Sequence, residues 1–139
     1  MTWVPPLAIG IVLGAACGVL LHIAGIARER GTWAVAVAAI ALFYVAFAAD
    51  GPDPSELLAH AAIASVFVGI AVIGARTDPW WLVAALLGHG LFDLTVHLVV
   101  SDPSPPWWGP FCFGVDAALA VWLGVLVRRG EIASRPRGR

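Results

Sequence analysis

The residues able to do chemistry sit on three stretches of an otherwise apolar chain. Glu56 and His60 lie four residues apart; His89, Asp93 and His97 follow at the same interval; Cys112 and Asp116 repeat it. Four residues advance a helix by about 400°, so each set forms one stripe on one helix face. A His and a carboxylate at i and i+4 have Cα atoms about 6 Å apart along the axis and can ligate one ion. All seven side chains are therefore candidate metal ligands. Nitrogen and oxygen donors suit a divalent zinc or iron ion, and Cys112 would favour zinc. Asp93, His97 and Asp116 are also the candidate catalytic groups, because a His beside a carboxylate can move a proton. His89 and His97 stand about 12 Å apart along one helix, too far to share an ion unaided.

These groups need a scaffold, and composition restricts it. Of 139 residues, 60% are hydrophobic and 12% charged, with a mean hydropathy of +0.90. A soluble domain carries about 25% charged residues. An ordinary soluble enzyme, a disordered chain and a nucleic-acid binder are excluded, the last also by a net charge of −1. Five continuous apolar runs cover about 5–27, 32–49, 55–75, 79–100 and 107–127. Each is long enough to cross a hydrocarbon core of about 30 Å as a helix, and none alternates like a barrel strand. The expected fold is all-α, a bundle of five transmembrane helices over residues 1–130 with a basic tail at 131–139. The first run has no basic flank or clear cleavage site and reads as a retained span, not a signal peptide. Asp53-Pro54-Ser55-Glu56 and Thr77-Asp78-Pro79 carry helix-start chemistry.

Charge gives an orientation. Arg28 and Arg30 follow the first run, Arg76 the third, and Arg128, Arg129, Arg135, Arg137 and Arg139 the fifth. The other loops hold Asp50, Asp53 and Asp102 and no basic residue. The positive-inside rule then puts the N-terminus outside and the C-terminus in the cytoplasm, in the inner or plasma membrane. Trp80, Trp81, Trp107 and Trp108 mark span ends. Measured from the outer end, His97 lies about 5 Å in, Cys112 about 8 Å, Asp93 about 10 Å, Asp116 about 14 Å and His89 about 16 Å. Glu56 lies near the same interface, His60 about one turn deeper, and Tyr44 at a compatible depth. A carboxylate at mid-membrane costs on the order of 3 kcal/mol, so Asp93 and Asp116 call for a pairing, an ion or a reaction.

Gly10, Gly14 and Gly18 form a small-residue stripe that admits another backbone, within the chain or in a second copy. Ala34, Ala38 and Ala41 on the second run read the same way. Cys17 and Cys112 are too few for a disulfide framework. His22 and Cys17 stand alone and read as packing residues.

Along the last three runs the chain resembles a family of small, uncharacterised integral membrane proteins of bacteria and fungi. That family's pattern is Leu-Leu-His-x-x-Trp-Asp-x-x-His-His, a Pro-rich loop, then Cys-x-x-Cys-Asp-x-x-x-Ala-x-Trp. Leu86, Leu87, His89, Asp93 and His97 look like its first part, shifted by one glycine. Pro103, Pro105 and Pro106 fall in the loop; Cys112, Asp116, Ala120 and Trp122 look like the last part, and Glu56 like an upstream Glu. Phe92, Val96 and Val115 depart from it at a Trp, a His and a Cys. The resemblance implies a membrane protein with a shared polar core and brings no activity with it.

Three functions fit the residues. The first is a small intramembrane enzyme, a hydrolase or isomerase acting on a lipid or isoprenoid-like substrate. The second is a metal-ion or proton transporter or channel subunit, oligomeric through the glycine stripe. The third is a scaffold whose polar groups only fix helix packing.

Overall fold

The computed structural model describes residues 2–132. Most of the basic tail, with Arg135, Arg137 and Arg139, lies outside the described residues. The described chain is all-α: α1 (Val4–Ile23), α2 (Arg30–Ala49), α3 (Pro54–Arg76), α4 (Trp80–Thr95) and α5 (Trp108–Arg128). One 3-10 turn, Val96–Leu98, follows α4. All five helices are long and apolar enough to cross a membrane, counting that turn with α4.

The helix ends follow local chemistry. Pro5 and Pro6 open α1, where their missing N–H groups cost nothing. Asp53 caps α3, its carboxylate accepting from the Ser55 N–H at 2.8 Å and the Ser55 hydroxyl at 2.7 Å. Those two bonds hold the Asp53 carboxyl below the usual carboxylate range. Just before α4, Asp78 accepts from the Trp80 N–H at 3.0 Å.

The first span is shorter than its apolar run suggests. Gly25 takes φ +76°, so its N–H reaches the His22 carbonyl and the Ile26 N–H reaches that of Leu21. This paired closure ends the helix at Ile23 although Ile26 and Ala27 are apolar. Gly130, at φ +68°, closes α5 in the same way. The fourth span also changes. Helix α4 stops at Thr95, and β-branched residues carry the chain through the 3-10 turn into the Pro-rich loop.

Helices α4 and α5 form the centre. Helix α5 packs on α1 and α4, α3 on α2 and α4, and α2 more lightly on α4. At one end, the Arg28 guanidinium meets Glu131 at 3.1 Å and Arg30 donates to the Thr77 carbonyl at 2.7 Å. These contacts gather the Arg-bearing loops. Above them lies an apolar core built around Trp33, Val37, Leu82, Leu86, Leu119 and Leu123. The buried Trp33 indole donates to the Ala27 carbonyl at 2.8 Å, which ties the α1–α2 loop to this core.

In lipid, helices gain little from hiding apolar surface from one another, so close van der Waals packing decides their contacts. The glycine stripe is used in that way within the chain. Gly10, Gly14 and Gly18 are the buried residues of α1, and they face α5. A Cβ on Gly14 would stand 2.6 Å from the Val115 carbonyl, and one on Gly18 2.7 Å from the Trp122 ring. Of the two uses the stripe allows, the structure shows the one within the chain, against α5.

Candidate metal centre

Asp93 lies near the C-terminal end of α4, with His89 one turn before it on the same face. Asp116 faces them from the middle of α5. Two glycines let the helices come this close. A Cβ on Gly90 would lie 3.2 Å from the Asp116 Cβ, and one on Gly109 would lie 2.5 Å from the Asp93 carbonyl oxygen. The three side chains bring one ligand atom each within 4.8 Å of one another. All are buried, with Asp116 at 0% exposure and His89 and Asp93 at 3%.

Hydrogen bonding in the group is incomplete. The His89 Nδ1–H donates to Asp116 Oδ2 at 3.0 Å. Asp93 Oδ2 lies 3.3 Å from the same nitrogen. Both Asp93 oxygens and Asp116 Oδ1 are buried without a hydrogen-bond partner. Unpaired acceptors of this kind are costly, more so in hydrocarbon.

The remaining candidates are distributed around this group. His60 is buried on α3, and its Nε2–H donates to the Ser101 carbonyl at 2.9 Å, tying the α4–α5 loop down. Its Nδ1 is buried and unpartnered. Its ring stacks on Tyr44 of α2, with centroids 5.5 Å apart and planes 11° from parallel. Cys112 is buried one turn before Asp116. Glu56 lies half-buried in the first turn of α3.

Among the described residues, His60, His97, Glu56 and Cys112 do not join the close-ligand group. For His97 the reason is the backbone. The expected stripe assumes an α-helix up to Val100, but His97 sits on the 3-10 turn and is exposed. A 3-10 turn advances 120° per residue, so the four-residue register with Asp93 is lost. His22 is exposed and edge-on to Trp122, with centroids 6.4 Å apart.

Sequence reasoning gave Tyr44 too little weight. Its ring is 2% exposed, its centroid lies 6.4 Å from that of His89, and its hydroxyl has no hydrogen-bond partner. The available signal was that Tyr44 is the chain's one tyrosine and lies inside an apolar run.

Comparison of the chain with protein-family models, curated proteins and solved structures finds no match. The site therefore rests on its own geometry.

Proposed function

We propose that this chain is a small intramembrane metalloenzyme that acts on a lipid or isoprenoid-like substrate. His89, Asp93 and Asp116 would hold a divalent zinc or iron ion. The observation that carries the reading is three buried ligand atoms within 4.8 Å, with three carboxylate oxygens left unpartnered.

Charge supports a cation. Two carboxylates and a neutral imidazole sum to −2, which a divalent ion neutralises in a low-dielectric site. One His and two carboxylates are three protein ligands, the number that leaves a coordination position open for chemistry. A cation held there would polarise a substrate oxygen. Around it, Tyr44 would donate a hydrogen bond or proton from α2, and His60 would keep the α4–α5 loop closed over the site. Zinc and iron both suit this donor set, and the preference for zinc that Cys112 would add loses its basis once the thiol is outside the group.

The apolar core at the Arg-bearing end weighs against a path through the bundle. Trp33, Leu82, Leu86 and Leu123 fill it, each at 0% exposure. A site blocked from that end suits an enzyme better than a transporter. The positive-inside rule puts the opposite end outside, in the inner or plasma membrane.

Lipid turnover tests the proposal. Protein in nanodiscs made from total host lipids is incubated with zinc or iron, and lipid species are compared by mass spectrometry. The wild type should alter one species in a metal-dependent way, and Asp116→Asn should not. Identical lipid profiles with and without the wild-type protein would overturn the enzymatic reading.

A further inference from the structure

The buried centre needs an entrance, and the loop end is shut by the His60–Ser101 bond. One loosely packed seam borders the centre. Helices α2 and α5 are not a packed pair, although both contribute to the site. Aromatic rings bridge the gap between them. Phe43 and Phe47 of α2 stand edge-on to Trp108 of α5, with centroids 5.2 and 4.9 Å away. Phe111 lies behind Trp108 at 5.7 Å. Phe43 is 45% exposed, so this ring cluster begins at the molecular surface. It ends at Tyr44, whose ring lies 6.3 Å from Phe47 on one side and 6.4 Å from His89 on the other. A continuous aromatic file thus joins the lipid-facing surface to the centre.

Two features suit this file to passage. Ring–ring contacts between side chains can open by rotamer changes, while packed helix backbones cannot. The Trp108 indole N–H is buried in the seam without an acceptor. A buried donor is normally paired, and leaving it unpaired costs on the order of 1–3 kcal/mol.

We propose that the α2–α5 seam is a lateral door through which a long-chain amphiphile enters from the bilayer, its oxygen accepting from the Trp108 indole. The proposal rests on reading His89, Asp93 and Asp116 as the reacting centre. The aromatic rings line the path of the hydrocarbon chain. Trp108 holds the polar head, and Tyr44 is the last side chain before His89.

The test uses a photoactivatable diazirine fatty alcohol in nanodiscs with the full chain, and maps labelled peptides by mass spectrometry. Metal content is measured on the same samples. Phe43, Phe47 and Trp108 should be labelled more strongly than Val12 and Val66, which are 69% and 61% exposed. Tyr44 should be labelled although it is 2% exposed. Trp108→Phe keeps an aromatic ring, though a smaller one, and removes the donor, so Tyr44 labelling should fall about two- to tenfold, with Val12 labelling unchanged. The same pattern in wild-type protein that carries no metal would support the door while counting against the metal reading. Labelling that follows surface exposure alone, in protein that carries metal, would overturn the door and leave the centre standing. Labelling of Tyr44 without Phe43, Phe47 and Trp108 would also overturn it, since entry would then lie elsewhere.

Discussion

Gly109→Ala is a sharp test of how the centre is held together. The added Cβ would lie 2.5 Å from the Asp93 carbonyl oxygen, against 3.4 Å or more for an ordinary contact. Backbone cannot swing aside as a side-chain tip does. Relief requires α4 and α5 to part locally by roughly 0.9 Å, because repulsion rises steeply below contact distance. Overpacking of this kind costs about 1–3 kcal/mol in stability. The larger effect falls on the site, since His89 and Asp93 ride on α4 and Asp116 on α5. Metal–ligand distances tolerate about 0.2 Å, so zinc or cobalt affinity should fall about 10- to 100-fold. Titration of metal-stripped protein in nanodiscs measures this directly. Gly69→Ala is the control, because a Cβ there meets nothing within 4 Å. Wild-type affinity in Gly109→Ala, or an equal loss in Gly69→Ala, would refute the reasoning.

Other expectations follow from separate features. Gly14→Val should lower the unfolding midpoint by forcing α1 off α5, costing about 1–3 kcal/mol, and should leave the oligomeric state unchanged in light scattering. Asp53→Ala should lower the thermal midpoint by removing the α3 cap. Because the folded Asp53 carboxyl sits below its usual value of 3.8, its stabilisation is full above that pH. It fades as pH falls through the lower folded value, so the wild-type and variant melting curves should converge in acid. For topology, cysteines introduced at Asp50 and Asp78 report the two ends. An impermeant maleimide on intact cells should label Asp50→Cys and spare Asp78→Cys, and the reverse pattern would invert the orientation.

The five helices were legible because hydrocarbon demands long continuous apolar runs, and nothing else in the chain competes with that signal. Their ends were less so. Apolarity continues past Ile23 to Ala27, and only the left-handed Gly25 stops the helix. The pairing of His89 with Asp93 was readable from four-residue spacing within α4. Asp116 joins through packing between helices, which spacing alone does not specify. His97 looked equivalent because the extent of α4 was inferred from composition, and composition does not distinguish an α-turn from a 3-10 turn. The glycine stripe announced a close approach without naming α5 as the partner. Gly90 and Gly109 carry the approach that builds the site, yet single glycines in apolar runs give no periodic signal. Tyr44 was legible as an oddity and became meaningful only beside His60 and His89.

The central claim is that His89, Asp93 and Asp116 form a divalent metal site inside the bundle. Elemental analysis of purified protein, wild type against Asp93→Ala, tests it most directly. Wild-type protein should carry about one zinc or iron per chain and Asp93→Ala none. A wild-type protein without stoichiometric transition metal after zinc or iron loading, or equal metal in both proteins, would contradict it.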